Sequence, residues 1–292
     1  MLSDWSPNIT DEMPLSDADF REFQSLVFKL CGIHLSDAKR QLVKSRLQKR
    51  LRHYGLTGYR QYYDMIVANR DPEELTAFIN CITTNKTDFF REPHHFQYIT
   101  NTFVPEVLEQ VRTGKMRKRL RVWHAGCSSG EEPYTMAITL LEALKGGEGW
   151  DIRLMASDID TNVLDQAERG VYGADRVSTI PIHLLHKYFL RGRGDSEGSV
   201  KVRDSVREMI EFRKINLNDI WPIRPETKFD VIFCRNVIIY FNRDTQRKLF
   251  SRFYDHLRPG SVLFIGHSES LLNVSDSFES LGNTIYRVPG GR

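Results

Sequence analysis

The segment "VWHAGCSSGEEPY", residues 122–134, decides the fold because a glycine-containing turn joins an apolar, strand-like run to a helix-like run. Glycines such as Gly126 and Gly130 let a backbone approach a ligand closely. A helix start after such a turn commonly holds a pyrophosphate on its free N–H groups. Here that start carries Glu131 and Glu132, which would repel a phosphate. The acids favour a cationic ligand, although acids at a helix start also simply complement the helix dipole.

Polar residues at the ends of two later apolar runs narrow the choice of ligand. "IRLMASDID" ends in Asp158, the position at which an acid hydrogen-bonds a ribose diol, although it could also be an ordinary helix cap. "FDVIFCRNVIIYF" is interrupted by Arg235, Asn236 and Tyr240 near its carboxyl end, where ligands of open α/β sheets bind, although an Arg–Asn pair could also simply satisfy loop carbonyls. An adenosine ligand with cationic centres and no phosphate, such as S-adenosylmethionine, fits both observations.

Strand-like and helix-like segments alternate through the second half of the chain. "LRVWHAG", "DIRLMASDID" and "FDVIFCRNVIIYF" are each followed by a helix-like segment, and "GSVLFIGHSES" is a further strand-like run. This alternation predicts an α/β domain with a doubly wound, mainly parallel sheet. Between about residues 187 and 214, Gly-rich turns separate short alternating runs, which predicts a small antiparallel β insertion.

The first third of the chain is helical in pattern. Ser16 and Gly32 are predicted to bound a first helix, Ser36 and Gly55 a second, and two more helices are expected before residue 84. The predicted organisation is a flexible tail over 1–14, a small all-helical domain over 15–84, a linker segment over 85–112 that contributes to the ligand site, and the α/β domain over 113–292.

The composition is that of a globular protein, with 40% hydrophobic and 27% charged residues. We expect a cytoplasmic protein, because the 292 residues contain neither a long apolar run nor a signal-peptide pattern at the N-terminus. The four cysteines form no CxxC pair, which favours free thiols over a disulfide framework or a zinc site. Adjacent His94 and His95 on a helix would point in different directions, so we predict no metal site.

Eight Lys or Arg residues and no acid lie between Ala38 and Tyr63. Such a run is either a solvated helix face or a docking face for an acidic partner. The net charge of only +3 and the lack of suitably interleaved aromatic residues argue against nucleic acid. We expect substrate docking to use the cations of the second helix, namely Lys39, Arg40, Lys44, Arg46, Lys49 and Arg50.

Several segments, in order, resemble the chemotaxis receptor methyltransferase family, CheR, over about residues 15–290. They are "TTNKTDFFREPHHF", "SSGEEPY", "ASDID", Asn216–Leu217, "FCRNVIIYF" and "GHSES". The resemblance implies a Rossmann-like fold that binds S-adenosylmethionine. The implied cofactor-binding residues are Asn85, Thr87, Arg91, Glu132, Asp158, Asn216, Leu217, Arg235 and Asn236. Arg91 and Tyr240 match positions that the family places beside the transferred methyl group.

The implied reaction is methyl transfer from S-adenosylmethionine to glutamate side chains of methyl-accepting chemotaxis receptors, with S-adenosylhomocysteine as the second product. The cytoplasmic domain of the receptor is the implied partner, with no nucleic acid and no membrane insertion. The β insertion resembles a subdomain that in some members tethers a receptor C-terminal peptide, although a plain surface hairpin fits the sequence equally well. Methylation of another acceptor, or an idle S-adenosylmethionine-binding adaptor, are the alternatives.

Overall fold

The computed structural model describes residues 13–69 and 71–290, which form two compact units that meet in sequence between Thr84 and Asn85. The predicted tail over 1–14 lies outside the described residues except for its last two. No helix among the described residues is both long and apolar enough to cross a membrane.

The first unit is helical. Its helices are α1 (Asp17–Cys31), α2 (Arg40–Tyr54), α3 (Tyr59–Asn69) and α4 (Pro72–Ile82). The Ser16 side chain caps α1 by accepting from the backbone N–H of Asp19, and Gly32 and Gly55 end α1 and α2 in left-handed conformations. The predicted start of the second helix at Ser36 becomes a 3-10 turn, Asp37–Lys39, that leads into α2.

The second unit contains the sheets and the remaining helices. The helices are α5 (Pro93–Tyr98), α6 (Val104–Arg112), α7 (Glu131–Ala143), α8 (Thr161–Arg169), α9 (Ile182–Tyr188), α10 (Asp204–Arg207) and α11 (Arg243–Asp255). The strands are β1 (Arg119–Ala125), β2 (Asp151–Asp158), β3 (Val171–Gly173), β4 (Phe189–Arg191), β5 (Ser199–Val202), β6 (Ile210–Lys214), β7 (Phe229–Cys234), β8 (Leu257–Ile265), β9 (Glu279–Gly282) and β10 (Ile285–Arg287). A π-helical turn, Ile99–Phe103, joins α5 to α6.

The large sheet has the strand order β6-β2-β1-β7-β8-β10-β9. Its first five strands pair in parallel, and β10 and β9 add an antiparallel edge. Every residue of the central strand β7 is buried, as expected for a strand covered on both faces. The predicted α/β fold with a doubly wound, mainly parallel sheet and a helical N-terminal domain is confirmed.

The small antiparallel sheet differs from the predicted insertion at both ends. It has the order β3-β5-β4, so it recruits Val171–Gly173 from before residue 187. Residues 210–214 are instead β6, which pairs in parallel with β2 at the edge of the large sheet. The inclusion of these five residues in the insertion was wrong, because Ile210 and Phe212 alternate with polar residues in sequence as they would in an antiparallel hairpin.

Two features at the ends of strands were also not predicted. The apolar run that begins at Phe229 ends as a strand at Cys234, because Asn236 adopts a left-handed backbone with φ 58° and Ile238–Tyr240 forms a 3-10 turn. The C-terminal hairpin of β9 and β10 was missed, since all four residues of β9 are exposed and show no apolar alternation.

Candidate active site at the carboxyl ends of the strands

The glycine loop after β1 is held against the end of β2. The backbone N–H groups of Gly126 and Cys127 both donate to the carbonyl oxygen of Ser157, at 2.8 and 2.9 Å. Gly126 has φ 90°, and a Cβ there would collide with the side chain of Val237. Gly130 has φ 94°, and a Cβ added there would lie 2.8 Å from the Cβ of Ala167. A side chain at Gly126 or Gly130 would therefore strain the loop.

Asp158 at the end of β2 is buried beside this loop. Its carboxylate accepts from the backbone N–H of Ser128 at 2.8 Å and from that of Asp160 at 3.0 Å. Burial raises the pKa of Asp158 to about 6, although these two N–H donors act in the opposite direction. The Ser128 hydroxyl donates to the carbonyl oxygen of Asn85 at 3.1 Å, and the Asn85 amide donates to Asp160 at 2.6 Å. Asn85 therefore lies at the Asp158 turn.

Three further hydrogen bonds hold the segment 85–91 against the carboxyl ends of the strands. The guanidinium of Arg176 donates to the Thr87 carbonyl oxygen at 2.8 Å. The Phe90 backbone N–H donates to the Thr135 hydroxyl at 3.2 Å, and Arg235 donates to the Arg91 carbonyl oxygen at 2.8 Å. The segment belongs to the second unit, where it carries Asn85, Thr87 and Arg91 to the same edge of the sheet as Asp158.

The two acids at the start of α7 have different surroundings. Glu131 is fully buried, accepts from the Ser129 hydroxyl at 2.7 Å and pairs with Arg176, so its charge is balanced inside the protein. Glu132 lies 3.2 Å from Arg235 Nε and 2.7 Å from His124 Nδ1. Burial acts to raise the pKa of Glu132, but Arg235 and His124 outweigh it and hold that pKa below its usual range. Glu132 is thus ionised at neutral pH.

Glu269, in the loop after β8, shapes the turn after β7. Its carboxylate accepts from the backbone N–H groups of Gly266 at 2.5 Å, Asn236 at 2.9 Å and Ile239 at 3.3 Å. A Cβ on Gly266 would lie 2.8 Å from the Asn236 nitrogen, so the turn packs directly against this glycine. Tyr240 ends the 3-10 turn that follows and is half-buried.

Asn216 and Leu217 follow β6 and are tied to β2. The backbone N–H of Ile215 donates to the Asp158 carbonyl oxygen at 3.0 Å, which extends the sheet pairing into this loop. The Asn216 side chain accepts from the backbone N–H of Asn218 at 3.1 Å, and the Leu217 carbonyl accepts from Trp221 Nε1 at 3.3 Å. The predicted cofactor-binding residues therefore lie in three places: after a strand of the large sheet, in the first turn of α7, or in the segment 85–91.

Glu92, His94 and His95 form a cluster whose candidate metal-ligand atoms lie within 4.8 Å of one another. Arg235 Nε stands 3.8 Å from Glu92 Oε2, and His267 Nδ1 stands 3.0 Å from Glu92 Oε1. Burial and the cation of Arg235 lower the pKa of His95 to about 4. Because a guanidinium already faces the carboxylate, the cluster is better suited to ion pairing than to holding a metal ion.

The six predicted docking cations divide into two groups within the first unit. Arg40 donates to the Leu15 carbonyl and pairs with Asp17, Arg46 donates to the Thr83 carbonyl at 2.7 Å, and Arg50 Nε donates to Glu74 at 3.0 Å. Among the lysines, Lys39 and Lys44 are half-buried and Lys49 is exposed. The three arginines thus already have hydrogen-bond or ion-pair partners within the helical unit.

Sequence reasoning did not assign site roles to His124, Arg176 or Glu269. Glu269 lies in the quoted motif "GHSES" and His124 in the opening segment. Their place in these motifs indicated that they lie near the site but did not show what they do there. Arg176 gave no signal, because it lies in a short 3-10 turn 45 residues from its partner Glu131.

The fold and the site define a nucleotide-binding α/β enzyme of the methyltransferase type, with acids rather than phosphate-binding groups around its glycine loop. Comparison with known families is consistent with this class. The family model described as "CheR methyltransferase, SAM binding domain" matches residues 85–287, and "CheR methyltransferase, all-alpha domain" matches residues 18–83. The chain belongs to the CheR methyltransferase family.

Curated relatives agree over nearly the full length of the chain. The chemotaxis protein methyltransferase of Salmonella typhimurium is 43% identical over 281 residues, which cover 96% of this chain and 93% of the relative. Chemotaxis protein methyltransferase 2 of Pseudomonas aeruginosa is 43% identical over 92% of both chains. The Escherichia coli protein of the same name is 40% identical over 96% of this chain and 94% of its own. The protein is an S-adenosylmethionine-dependent methyltransferase of chemotaxis.

Proposed function

We propose that the chain methylates glutamate side-chain carboxylates of chemoreceptors, giving glutamate methyl esters. The observation that carries this proposal is the pair of acids, buried Asp158 and partly buried Glu132, beside a glycine loop at the carboxyl ends of β1 and β2. Receptor substrates are implied by the chemotaxis names of the relatives. Transfer of a labelled methyl group to receptor-containing membranes tests the proposal.

The residues at the strand ends fit S-adenosylmethionine. Asp158 would accept from the ribose hydroxyls, and Glu132 would offer an ionised carboxylate to the cationic amino-acid group; their burial and charge support these assignments. Asn85, Thr87, Asn216 and Leu217 would line the adenosine side. Arg91, Arg235 and Asn236 would surround the amino-acid side. When bound, S-adenosylmethionine supplies an electrophilic methyl group on a sulfonium centre.

Methylation of a carboxylate requires no proton transfer by the protein. A free glutamate has a pKa near 4.3, so the acceptor is already ionised at pH 7 and needs no general base. The contribution left to the chain is alignment of the acceptor carboxylate. We assign that role to Arg91, whose fork of donors suits a carboxylate, and place Tyr240 beside the methyl group.

The pKa of Asp158 predicts a pH dependence of cofactor affinity. A ribose diol donates to the ionised carboxylate, so affinity should fall as pH falls through about 6, by up to about tenfold per pH unit. Calorimetric titration with S-adenosylhomocysteine between pH 5 and 8 measures this, with Asp158→Asn as the variant that should bind weakly and without the same pH dependence. An equally steep loss of affinity in Asp158→Asn would assign the titration to another group.

We propose that the receptor docks on the lysines of α2, half-buried Lys44 and exposed Lys49. Once Arg40, Arg46 and Arg50 are assigned to bonds within the helical unit, Lys39, Lys44 and Lys49 remain from the predicted set. Lys39 lies in the 3-10 turn before α2, so Lys44 and Lys49 are the two on α2 itself, and exposed Arg52 adds a further cation there. An acidic coiled-coil surface on the receptor has the complementary charge.

Reversal of two of these charges should weaken methylation of the receptor. For Lys44→Glu/Lys49→Glu we expect KM for receptor membranes to rise by about tenfold, because each exposed pair contributes up to about 1 kcal/mol and reversal adds repulsion. Affinity for S-adenosylmethionine should stay unchanged. Lys29→Glu, an exposed charge reversal in the last turn of α1, is the matched control. Equal KM values for the double variant and this control would remove α2 from the docking surface.

We also propose that the chain works in the cytoplasm. A separate proposal is that the small sheet binds a C-terminal peptide of the receptor. The order β3-β5-β4 leaves β4 at an edge of this sheet, where an added strand could pair. Titration of a receptor C-terminal peptide into the protein tests the tether, and the absence of binding would leave the sheet a surface hairpin.

A further inference from the structure

His124 is a buried polar residue in β1 that the proposed chemistry leaves without a role. Its side chain is fully buried, and its ring lies 5.1 Å from the ring of Phe233 in β7. Packing alone would be met by a hydrocarbon ring such as that of phenylalanine, which has no ring N–H to satisfy. Yet Nδ1 lies 2.7 Å from Glu132 Oε1, which is the distance of a charge-assisted hydrogen bond.

The two ring nitrogens of His124 have opposite surroundings. Nδ1 faces the carboxylate of Glu132, whereas Nε2 is buried without a hydrogen-bond partner among the described residues. A carboxylate oxygen can only accept, so Nδ1 must carry the proton that lies between the two groups. A neutral ring then leaves Nε2 as a buried acceptor with no donor among the described residues. The geometry therefore selects the Nδ1–H tautomer.

Glu132 is held from two sides. Oε2 faces Arg235 Nε at 3.2 Å, and Oε1 accepts from His124. Arg235 belongs to the turn after β7 and His124 to β1, so the carboxylate is fixed between two neighbouring strands. Without the His124 donor, the side chain would keep one fixed oxygen and could rotate about the contact to Arg235.

We propose that His124 is a positioning residue for the methyl donor, whose Nδ1–H fixes the Glu132 carboxylate in the orientation that binds the cofactor. The inference rests on the proposed assignment of Glu132 to cofactor binding. His124 acts through Glu132 and touches neither the cofactor nor the acceptor. Its loss should therefore weaken cofactor binding more than it slows the reaction at saturation.

Two substitutions separate hydrogen bonding from packing. His124→Phe keeps a ring of similar size and removes the donor, whereas His124→Asn places an amide N–H close to the position of Nδ1. For His124→Phe we expect the Kd of S-adenosylhomocysteine and the KM of S-adenosylmethionine to rise about tenfold or more, with kcat within about threefold of the wild type. His124→Asn should retain affinity within about threefold. Wild-type affinity in a folded His124→Phe chain, or equal losses in the two variants, would overturn the proposal.

A double-mutant cycle tests whether the effect passes through Glu132. In a Glu132→Gln background, His124→Phe should change the Kd of S-adenosylhomocysteine by less than about twofold, because the ionised acceptor is already gone. A full, additive loss would show that His124 acts by another route.

The tautomer can be read on the unmodified protein, which covers the case in which His124→Phe does not fold. Long-range ¹⁵N–¹H correlation spectra, with the His124 signals assigned by their loss in His124→Asn, should show the proton on Nδ1. A proton on Nε2 alone would overturn the proposal. A wild-type chain that binds neither S-adenosylmethionine nor S-adenosylhomocysteine would instead refute the proposed function, and the inference with it.

Discussion

Arg91→Ala is expected to reduce methyl transfer by about a hundredfold or more, since misplacement of a reacting group by about 1 Å has an effect of that size. The Arg91 guanidinium is half-buried and donates to the Lys86 carbonyl oxygen at 2.8 Å, so it is tied to the segment that carries it. Its backbone is fixed separately by Arg235. The substitution should thus remove the carboxylate fork without displacing the segment.

The matched control is Lys86→Ala, which removes one exposed cation from the same segment. Its turnover should lie within about threefold of the wild type, because exposed charges contribute little. Arg91→Lys should remain well below the wild type, since an ammonium keeps the charge but loses the two-pronged geometry. Quench-flow rates and cofactor affinity are measured separately. Near-normal turnover in Arg91→Ala would reject the catalytic role.

Glu74→Ala should destabilise the helical unit by about 2–3 kcal/mol, because it leaves the partly buried Arg50 guanidinium and the buried Tyr62 hydroxyl without their acceptor. The Glu74 carboxylate is 5% exposed and accepts from Arg50 Nε at 3.0 Å, the Tyr54 hydroxyl at 2.7 Å and the Tyr62 hydroxyl at 2.6 Å. It therefore joins α2 and α3 to α4. Burial acts to raise the pKa of Glu74, but Arg50 and the two tyrosines outweigh it and lower that pKa.

The sign of that shift sets the pH dependence of the effect. Because the folded-state pKa of Glu74 is lowered, its contribution is present above the unfolded value of about 4.3 and is lost as pH falls through the folded value. Urea unfolding at pH 7, compared with Glu73→Ala on the exposed side of α4, measures the difference. Receptor methylation should fall while S-adenosylhomocysteine affinity is retained. Equal stability of the two variants would contradict the assigned role.

The sequence predicted the parts of the molecule that depend on neighbouring residues. The turn between β1 and α7, the caps at Ser16, Gly32 and Gly55, and the parallel sheet all follow from local patterns that the structure contains. The positions of Asp158 and Arg235 at strand ends follow from the same logic, because parallel strands bring their carboxyl ends to one edge.

Pairings between distant segments could not be predicted in this way. Arg50 finds Glu74 at a separation of 24 residues and Arg46 finds Thr83 at 37, so a run that looks uniformly basic is partly interior. Arg176 meets Glu131 across 45 residues, which changes one of two similar acids from a candidate ligand group into a balanced internal charge. Only packing distinguishes Glu131 from Glu132.

The most direct measurement is the chemical nature of the transferred methyl group. Receptor-containing membranes are incubated with the wild-type protein and S-adenosylmethionine labelled in its methyl group, and the modified receptor is digested and treated with mild base. Methylation of a carboxylate predicts label released as methanol and mapped by mass spectrometry to glutamate-containing peptides. Label that survives base, or no incorporation into the receptor under conditions in which S-adenosylmethionine binds, would contradict it.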